Sequence, residues 1–189
     1  MPTAPALVPP DDAPRLSPAM SKVMLHWGEM GARWGVNRSV AQIHALLWLV
    51  GRPLTAEDIA ETLSIARSNV STSLDELQVY RLVSIVHVVG DRRNRYMAKT
   101  DPWDIVRTII DERKKREIDP SLELLKSVSE NAGGDNETPA DVKRRIAEMA
   151  SFIERMTGWY DQMKNVPRPM LERMIKLGAR IVRLLGKGK

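Results

Sequence analysis

The chain has 189 residues, a formal net charge of +5 and no cysteine. This length fits one domain with helical extensions, and the lack of cysteine excludes disulfides, cysteine-based zinc sites and thiol redox sensing. The three histidines (His26, His44 and His87) are scattered and give no metal-ligand spacing. Because there is neither an apolar run of membrane-spanning length nor a signal peptide pattern, we expect a cytoplasmic protein without cofactors.

The N-terminal part of the chain predicts a disordered arm followed by two helices. Residues 1–18 hold six of the twelve prolines, a composition that cannot bury a core. Residues 19–52 predict a helix from about Ser17 to Trp34, whose glycines allow a close helix crossing, and a second helix from Ser39 to Val50. The second helix has a serine cap and is almost wholly apolar, which indicates burial. His44 within it is expected to be a core or boundary histidine and not a ligand.

Residues 53–100 predict a helix-turn-helix followed by a hairpin. The first helix begins at Thr55 with Asp58 three residues later, a pair that approximates a capping box. A turn at Ser64 and Ile65 leads to a second helix over about 67–80, where apolar residues recur at helical spacing and must face inward.

The second helix opens with residues that are poor helix formers but suit contact with DNA. Short hydroxyl and amide side chains compete for the helix backbone, yet they can approach phosphates and base edges. A cation in the first turn is not stabilised by the helix dipole. Its presence there therefore indicates a contact with a partner molecule. The candidate residues are Arg67, Ser68, Asn69, Ser71 and Thr72, with Thr55 as a further phosphate donor at a helix N-terminus.

A β-rich run from Leu82 to Val89 and a second strand from Arg95 to Lys99 flank the turn-forming residues 90–94. Arg92 and Arg93 lie at the tip of this hairpin, and Arg95 follows closely. The predicted fold is therefore mainly α with a small β-hairpin wing: a winged helix-turn-helix flanked by N- and C-terminal dimerisation helices. Its helix would enter the major groove while the wing arginines hold the DNA backbone.

Three segments resemble the MarR-type winged-helix regulators, most closely the GbsR branch. They are N-V-S-x-S-L-x-E-L at 69–77, G-D-R at 90–92 and D-P-W-D at 101–104, within a resemblance that spans roughly residues 20–185. The resemblance implies a dimeric DNA-binding regulator with N- and C-terminal helices in the dimer. Ala66 departs from the usual serine or threonine cap, which costs about 1 kcal/mol. Asp75 stands where a basic residue is common, although an acid can accept from cytosine N4.

Residues 101–189 predict C-terminal helices that serve dimerisation. Asp101 and Pro102 form a strong helix start, and Pro120 predicts a kink or break near Ile118. After a loop at 131–137, further helices are expected from Thr138 to before Pro167 and from about 169 to 185. Their wide apolar faces exceed what one small core covers, which favours a two-fold dimer over a membrane-surface role for the basic last helix.

The pattern favours a dimeric transcriptional regulator, expected to be a repressor, that binds a pseudo-palindromic operator. The alternative is a winged helix for protein contacts in a larger assembly, because residues 55–100 carry six basic and six acidic side chains. An enzyme is not expected, since no nucleophile–base pair, phosphate loop or metal set is recognisable.

A small-molecule effector is a further expectation, because relatives of the resembled branch respond to small osmolyte-related cations. Aromatic side chains could form a cage for a quaternary ammonium group, although core or dimer packing is the better account of most of them. The cage candidates are Trp27, Trp34, Trp103, Trp159 and Tyr160, with Trp48 as a further tryptophan of the chain.

Overall fold

The computed structural model describes residues 13–131 and 134–185, the last seven by their backbone only. Most of the predicted N-terminal arm lies outside these residues. By internal contacts the chain divides into two units, residues 1–110 and 111–189. The described part is mainly helical with one small sheet, so the predicted fold class is confirmed.

The first unit contains the helix-turn-helix and its sheet. Its elements are α1 (Pro18–Arg33), α2 (Arg38–Val50), β1 (Leu54–Thr55), α3 (Ala56–Leu63), α4 (Arg67–Val79), β2 (Val83–Val86), β3 (Arg95–Ala98) and nearly all of α5 (Pro102–Arg113). The second unit contains a π-helical turn (Lys114–Ile118), α6 (Asp119–Glu130), α7 (Ala140–Met163) and α8 (Arg168–Leu185). No described helix is long and apolar enough to cross a membrane.

The core of the first unit forms where α4 packs against both α2 and α3. Because α2 is apolar on nearly all sides, it can be buried on nearly all sides. Each large apolar side chain removed from water stabilises the fold by about 1.5–3 kcal/mol. The large apolar side chains that are at most 2% exposed in this core are Ile43, Leu46, Leu47, Leu54, Ile59, Val70, Leu74 and Leu77.

Small residues allow α1 to lie close against α2. A Cβ placed on Gly31 would be only 2.6 Å from the Cβ of Ala41, and one on Gly28 would be 2.6 Å from the Cγ of Gln42. Both glycines are buried. The predicted close helix crossing is therefore found, and it depends on the absence of a side chain at these positions.

The start of α2 differs from the prediction. Asn37 is the cap, and its side-chain oxygen accepts a hydrogen bond from the Ser39 N–H at 2.8 Å. Asparagine is as good a cap as serine, and the helix therefore begins at Arg38 instead of after a cap at Ser39. As a result the Ser39 hydroxyl is available for another contact.

The sheet has three antiparallel strands in the order β1-β3-β2. Strand β2 pairs with β3 from Val83 opposite Ala98 to Val86 opposite Arg95. The short strand β1, which the sequence analysis missed, pairs on the other side of β3 and places Thr55 opposite Arg95. Two residues are too few for a period-2 pattern, so only the paired structure reveals this strand.

The second unit contains the predicted interruption of the long helix. Pro120 has no N–H to donate to a carbonyl one turn earlier, and the backbone widens into the π-helical turn just before it. After this turn α6 packs against α7, where Ala150 is a buried side chain. Many large apolar side chains of the second unit remain exposed.

His44 lies in the core of the first unit with 4% of its surface exposed. Its ring is beside that of Trp27, with centroids 6.5 Å apart, and its Nε2 has no hydrogen-bond partner among the described residues. Because burial disfavours the imidazolium, the pKa of His44 falls to about 4. The predicted core histidine is thus confirmed, and it is neutral near pH 7.

We expect the free energy of unfolding to decrease as the pH falls from about 6.5 to about 4. The pKa of His44 is lowered from 6.5 in the folded chain, so in this window the unfolded chain binds a proton that the folded chain does not. The loss reaches about 3 kcal/mol at the acid end and vanishes above about pH 7. Urea titrations at a series of pH values measure it.

The variant His44→Phe should flatten this part of the stability curve, because it keeps a ring in the core and removes the titrating group. His26 is exposed, so His26→Phe is the matched control and should keep the wild-type slope. An unchanged slope in His44→Phe would contradict the assignment.

Candidate nucleic-acid interface

The polar side of α4 faces outward because its apolar stripe is buried. Val70, Leu74 and Leu77 are at most 2% exposed, and Ser73 beside them is also buried. The residues between them are exposed: Arg67, Ser68, Asn69, Ser71, Thr72 and Asp75. The structure therefore places the five α4 residues of the sequence prediction on the exposed side of one helix.

The start of α4 has no side-chain cap, because Ala66 occupies the cap position. Backbone N–H groups at an uncapped helix start can donate to an anion. The Arg67 guanidinium forms an ion pair with the Glu57 carboxylate of α3, and both side chains remain about half exposed or more. An exposed pair of this kind is weak, so Arg67 can exchange Glu57 for a phosphate at little cost.

Two of the predicted contact residues also make contacts within the chain. The Asn69 amide donates to the Ser39 hydroxyl at 3.0 Å, which ties α4 to the start of α2, and its oxygen accepts from Ser73 at 3.4 Å. The Thr72 hydroxyl donates to the Ser68 carbonyl at 3.1 Å. Asn69 therefore positions the helix, while Thr72 retains acceptor capacity toward solvent.

Thr55 is fully buried and does not belong to the exposed surface. Its Oγ1 accepts a hydrogen bond from the Asp58 N–H at 3.1 Å, and the Asp58 carboxylate accepts one from the Thr55 N–H at 2.8 Å. The capping box is therefore confirmed. Since Thr55 is fully buried and its hydroxyl caps α3, the structure does not place it where it could contact a phosphate, and the sequence-based assignment of that role is corrected.

The wing is organised by Asp91, a residue that the sequence analysis treated only as a turn former. Gly90 before it has φ +89°, a conformation that glycine adopts without strain. The Asp91 Oδ1 accepts from both the backbone N–H and the Nε of Arg93 at 3.0 Å. These hydrogen bonds, with those from Arg95, hold the pKa of Asp91 well below its usual range. The carboxylate therefore stays charged and holds the loop in shape.

The three wing arginines have different surroundings. The Arg95 side chain is 4% exposed, and its Nε and Nη2 donate to the Asp91 Oδ2 at 3.0 and 2.8 Å. Arg92 is exposed, and the Arg93 side chain is 44% exposed. Arg95 is thus a buried support of the wing, which corrects its predicted backbone contact, and Arg92 and Arg93 are the cations presented to solvent.

The aromatic candidates of the first unit have different surroundings. Trp27 stacks on Trp48 with centroids 6.1 Å apart, and the Trp48 indole N–H donates to the Thr100 carbonyl at 3.0 Å. Trp34 is 65% exposed at the end of α1, and Trp103 is half-buried in α5.

In the second unit, Trp159 is 57% exposed, and the Tyr160 hydroxyl donates to the Asp111 carboxylate at 3.0 Å. In the part of the chain that the structure describes, no group of three or more acidic, histidine or cysteine side chains could hold a metal ion.

Sequence reasoning missed three supporting residues: Asp91, Ser39 and Glu57. The D-x-R-x-R spacing at 91–95 was a usable signal for Asp91, because side chains two and four residues apart meet across a tight turn. No local signal could have found the contact between Ser39 and Asn69, which are 30 residues apart.

Comparison with known proteins identifies the class to which this site belongs. Residues 34–94, which include the helix-turn-helix and most of the wing, match the model of the MarR family. This segment is therefore similar to the domain of the MarR family, and the similarity covers about a third of the chain. No match was found among curated proteins.

One solved structure has a similar fold, and two further regulators match with lower structural similarity. The crystal structure of a transcriptional regulator is similar at 19% identity over 77% of this chain and 99% of that one, with a TM-score of 0.52. A MepR mutant of S. aureus bound to an oligodeoxyribonucleotide has 16% identity, coverage of 73% and 90%, and a TM-score of 0.37. Regulator Tm0710 from Thermotoga maritima has 15% identity, coverage of 74% and 92%, and a TM-score of 0.37.

We expect Asp91→Asn to loosen the wing, because an amide cannot hold two guanidinium groups as a carboxylate does. Hydrogen exchange at the Arg93 amide, which donates to Asp91, should become roughly tenfold faster, since local opening becomes easier. The exposed neighbour Asn94 gives the control variant Asn94→Ala, which should leave this exchange rate unchanged. Equal rates in wild type and Asp91→Asn would show that the carboxylate does not organise the loop.

Proposed function

We propose that this protein is a dimeric, sequence-specific DNA-binding regulator that represses transcription from the cytoplasm, and that it belongs to the GbsR branch. The observation that carries the proposal is the pairing of two features on one lobe. The polar side of α4 is exposed, and a wing with two solvent-facing arginines, Arg92 and Arg93, is held rigid by Asp91. No catalytic step is part of this function.

In the proposed complex, α4 lies in the major groove and the wing follows the adjacent backbone. Ser68, Ser71 and Thr72 contact base edges or phosphates, while Arg67 leaves Glu57 for a phosphate. Arg92 and Arg93 hold the backbone. Thr55 and Arg95 support these elements from inside, and Asn69 sets the position of α4 through Ser39.

The second candidate function is a winged helix that contacts another protein. The equal number of basic and acidic side chains in residues 55–100 favours it. Against it, the solvent-facing cations gather at the wing tip and at the start of α4. Such local clustering governs attraction to a phosphate backbone more directly than net charge does. Salt dependence separates the two functions.

The dimer is supported by an uncovered apolar row on α7. Four large side chains recur there at spacings of three, four and three residues, which is the spacing of a helix–helix seam. They are between 49% and 57% exposed: Met149, Phe152, Met156 and Trp159. A second copy would remove this row from water, and a two-fold dimer would place two α4 helices about 34 Å apart, one DNA turn.

A small cation is the proposed effector, with the exposed Trp34 of the first unit as an accessible aromatic contact. A ligand changes the DNA affinity of a protein only if its own affinity differs between the conformation that binds DNA and the conformation that does not. The DNA titration described next should therefore be repeated with a quaternary ammonium salt and with sodium at equal ionic strength. Equal affinity in both salts would contradict the effector proposal.

We expect tight binding of this protein to DNA from upstream of its own gene, with an affinity that falls steeply as salt rises. Each phosphate neutralised contributes a slope of about 0.9 in log affinity against log salt. The double variant Arg92→Ala/Arg93→Ala should therefore lower the slope by up to about 3.6 for the four arginines of a dimer. Fluorescence anisotropy at several salt concentrations measures it.

The matched control is Arg144→Ala/Arg145→Ala, which removes the same charge from exposed positions on α7. It should retain the wild-type slope. Selective binding that the wing variant does not alter would refute the role of the wing. Binding no better than to unrelated DNA, with and without the quaternary ammonium salt, would favour the protein-contact function.

We expect Met156→Lys to weaken self-association by roughly 30-fold or more, because a charge in the middle of the apolar row would be buried without a partner. Sedimentation across micromolar concentrations measures the monomer–dimer equilibrium. Gln162 is exposed on the same helix, so Gln162→Lys serves as the control and should sediment as wild type does. A dimer of unchanged stability in Met156→Lys would exclude this row from the interface.

A further inference from the structure

Asp75 is a carboxylate in the middle of the surface proposed to face DNA. It is exposed on α4, one turn beyond Ser71 and Thr72 and two turns beyond Ser68. Among the described residues, its side chain forms no ion pair and no hydrogen bond. Nothing within the described fold therefore requires an acid here, although an acid on a DNA-binding face is repelled by phosphates.

The side chains around Asp75 do not offset its character as an acceptor. Arg67, the cation of α4, is paired with Glu57 at the far end of the helix. Thr72 donates its hydroxyl proton to the Ser68 carbonyl, and Asn69 donates to Ser39. Thr72 thus presents an oxygen acceptor beside Asp75, whereas the Ser68 and Ser71 hydroxyls can donate or accept. The Asp75 carboxylate is therefore the group of this surface that requires a donor from its partner.

We infer that Asp75 determines base specificity by accepting a hydrogen bond from the N4 amino group of a cytosine in the major groove. This inference rests on the DNA-binding function proposed above. A carboxylate accepts only, and guanine offers two acceptors, O6 and N7, that would repel it. Thymine offers an acceptor and a methyl group, and the amino group of adenine lies beside the acceptor N7. Cytosine is the base whose polar major-groove edge consists of a donor.

The position of Asp75 along α4 restricts its proposed contact to one base pair of each half-site. A helix rises 1.5 Å per residue, so Ser68 and Asp75 are about 10.5 Å apart along the axis. Base pairs repeat every 3.4 Å along each strand, so the two residues face base pairs about three steps apart. Asp75 therefore reads its cytosine independently of the contacts at the start of the helix.

The same charge reduces binding to unrelated sequences. Where no amino group meets Asp75, its carboxylate loses water and faces acceptors and phosphates without compensation. Attraction of DNA by the wing does not depend on sequence. An acid on α4 therefore lowers the affinity for unrelated DNA more than it lowers the affinity for the specific site. Asp75 thus increases the ratio of specific to non-specific binding.

The test is a selection from a random double-stranded DNA library with the full chain as wild type, Asp75→Asn and Glu76→Gln. Wild type should enrich a half-site with an invariant cytosine at one position. Asparagine pairs with N6 and N7 of adenine, so Asp75→Asn should replace that cytosine by adenine and lose about tenfold in preference for cytosine. Glu76 is the half-buried neighbour of Asp75, and Glu76→Gln removes the same charge while keeping the cytosine.

Three results would overturn the inference, and they differ from one another. If Asp75→Asn enriches the wild-type sequence, Asp75 reads no base. If it binds every sequence more tightly with unchanged preferences, Asp75 acts only by repulsion. If wild type enriches no sequence, the proposed function fails together with this inference. Because Asp75 is exposed and forms no bond among the described residues, its variant should keep the circular dichroism and urea midpoint of wild type.

Discussion

The candidate interface depends on the burial of one apolar stripe of α4 against α2. Val70, Leu74 and Leu77 enter the core formed by Ile43 and its neighbours, and this burial fixes the rotation of the helix about its axis. A helix whose opening residues are poor helix formers gains little from intrinsic propensity, so tertiary packing must hold it. Packing also decides which side chains are left for DNA, because positions between the buried ones must face outward.

A second constraint is the competition between intramolecular and DNA contacts for the same cations. Asp91 draws Arg95 into the wing and holds the backbone of Arg93, while Glu57 holds Arg67 only by an exposed pair. The first arrangement is a rigid support, and the second is easily exchanged. An arginine restrained before binding loses less conformational entropy when it meets a phosphate, so the acid that lowers the net charge of the wing also prepares it for contact.

The sequence predicted those features that depend on local chemistry. The helix period gave the buried stripe of α4, Thr55 and Asp58 predicted the capping box, and Pro120 predicted the interruption before α6. It could not predict that two of the polar candidates, Thr55 and Arg95, are buried. Thr55 and Arg95 resemble phosphate contacts by residue type, yet the pairing of β1 with β3 places them opposite each other inside the sheet. That pairing joins residues about 40 positions apart, and a two-residue strand has no periodicity from which to infer it.

In the proposed DNA complex the wing and α4 have different roles: the wing attracts DNA of any sequence, and α4 distinguishes one sequence from another. The wing presents Arg92 and Arg93, whose attraction to phosphates is the same for every sequence. The polar side of α4 carries short hydroxyl side chains and Asp75, which attract DNA weakly but respond to the pattern of donors and acceptors in the groove. Two arginines at each wing give only a modest non-specific affinity, so a single lobe would bind weakly. A dimer adds the free energies of two lobes on one duplex and thereby gains affinity without losing the selectivity of each helix. In the proposed dimer, the apolar row on α7 and the acid on α4 would therefore be complementary, because the second copy would supply the DNA affinity that the acid lowers.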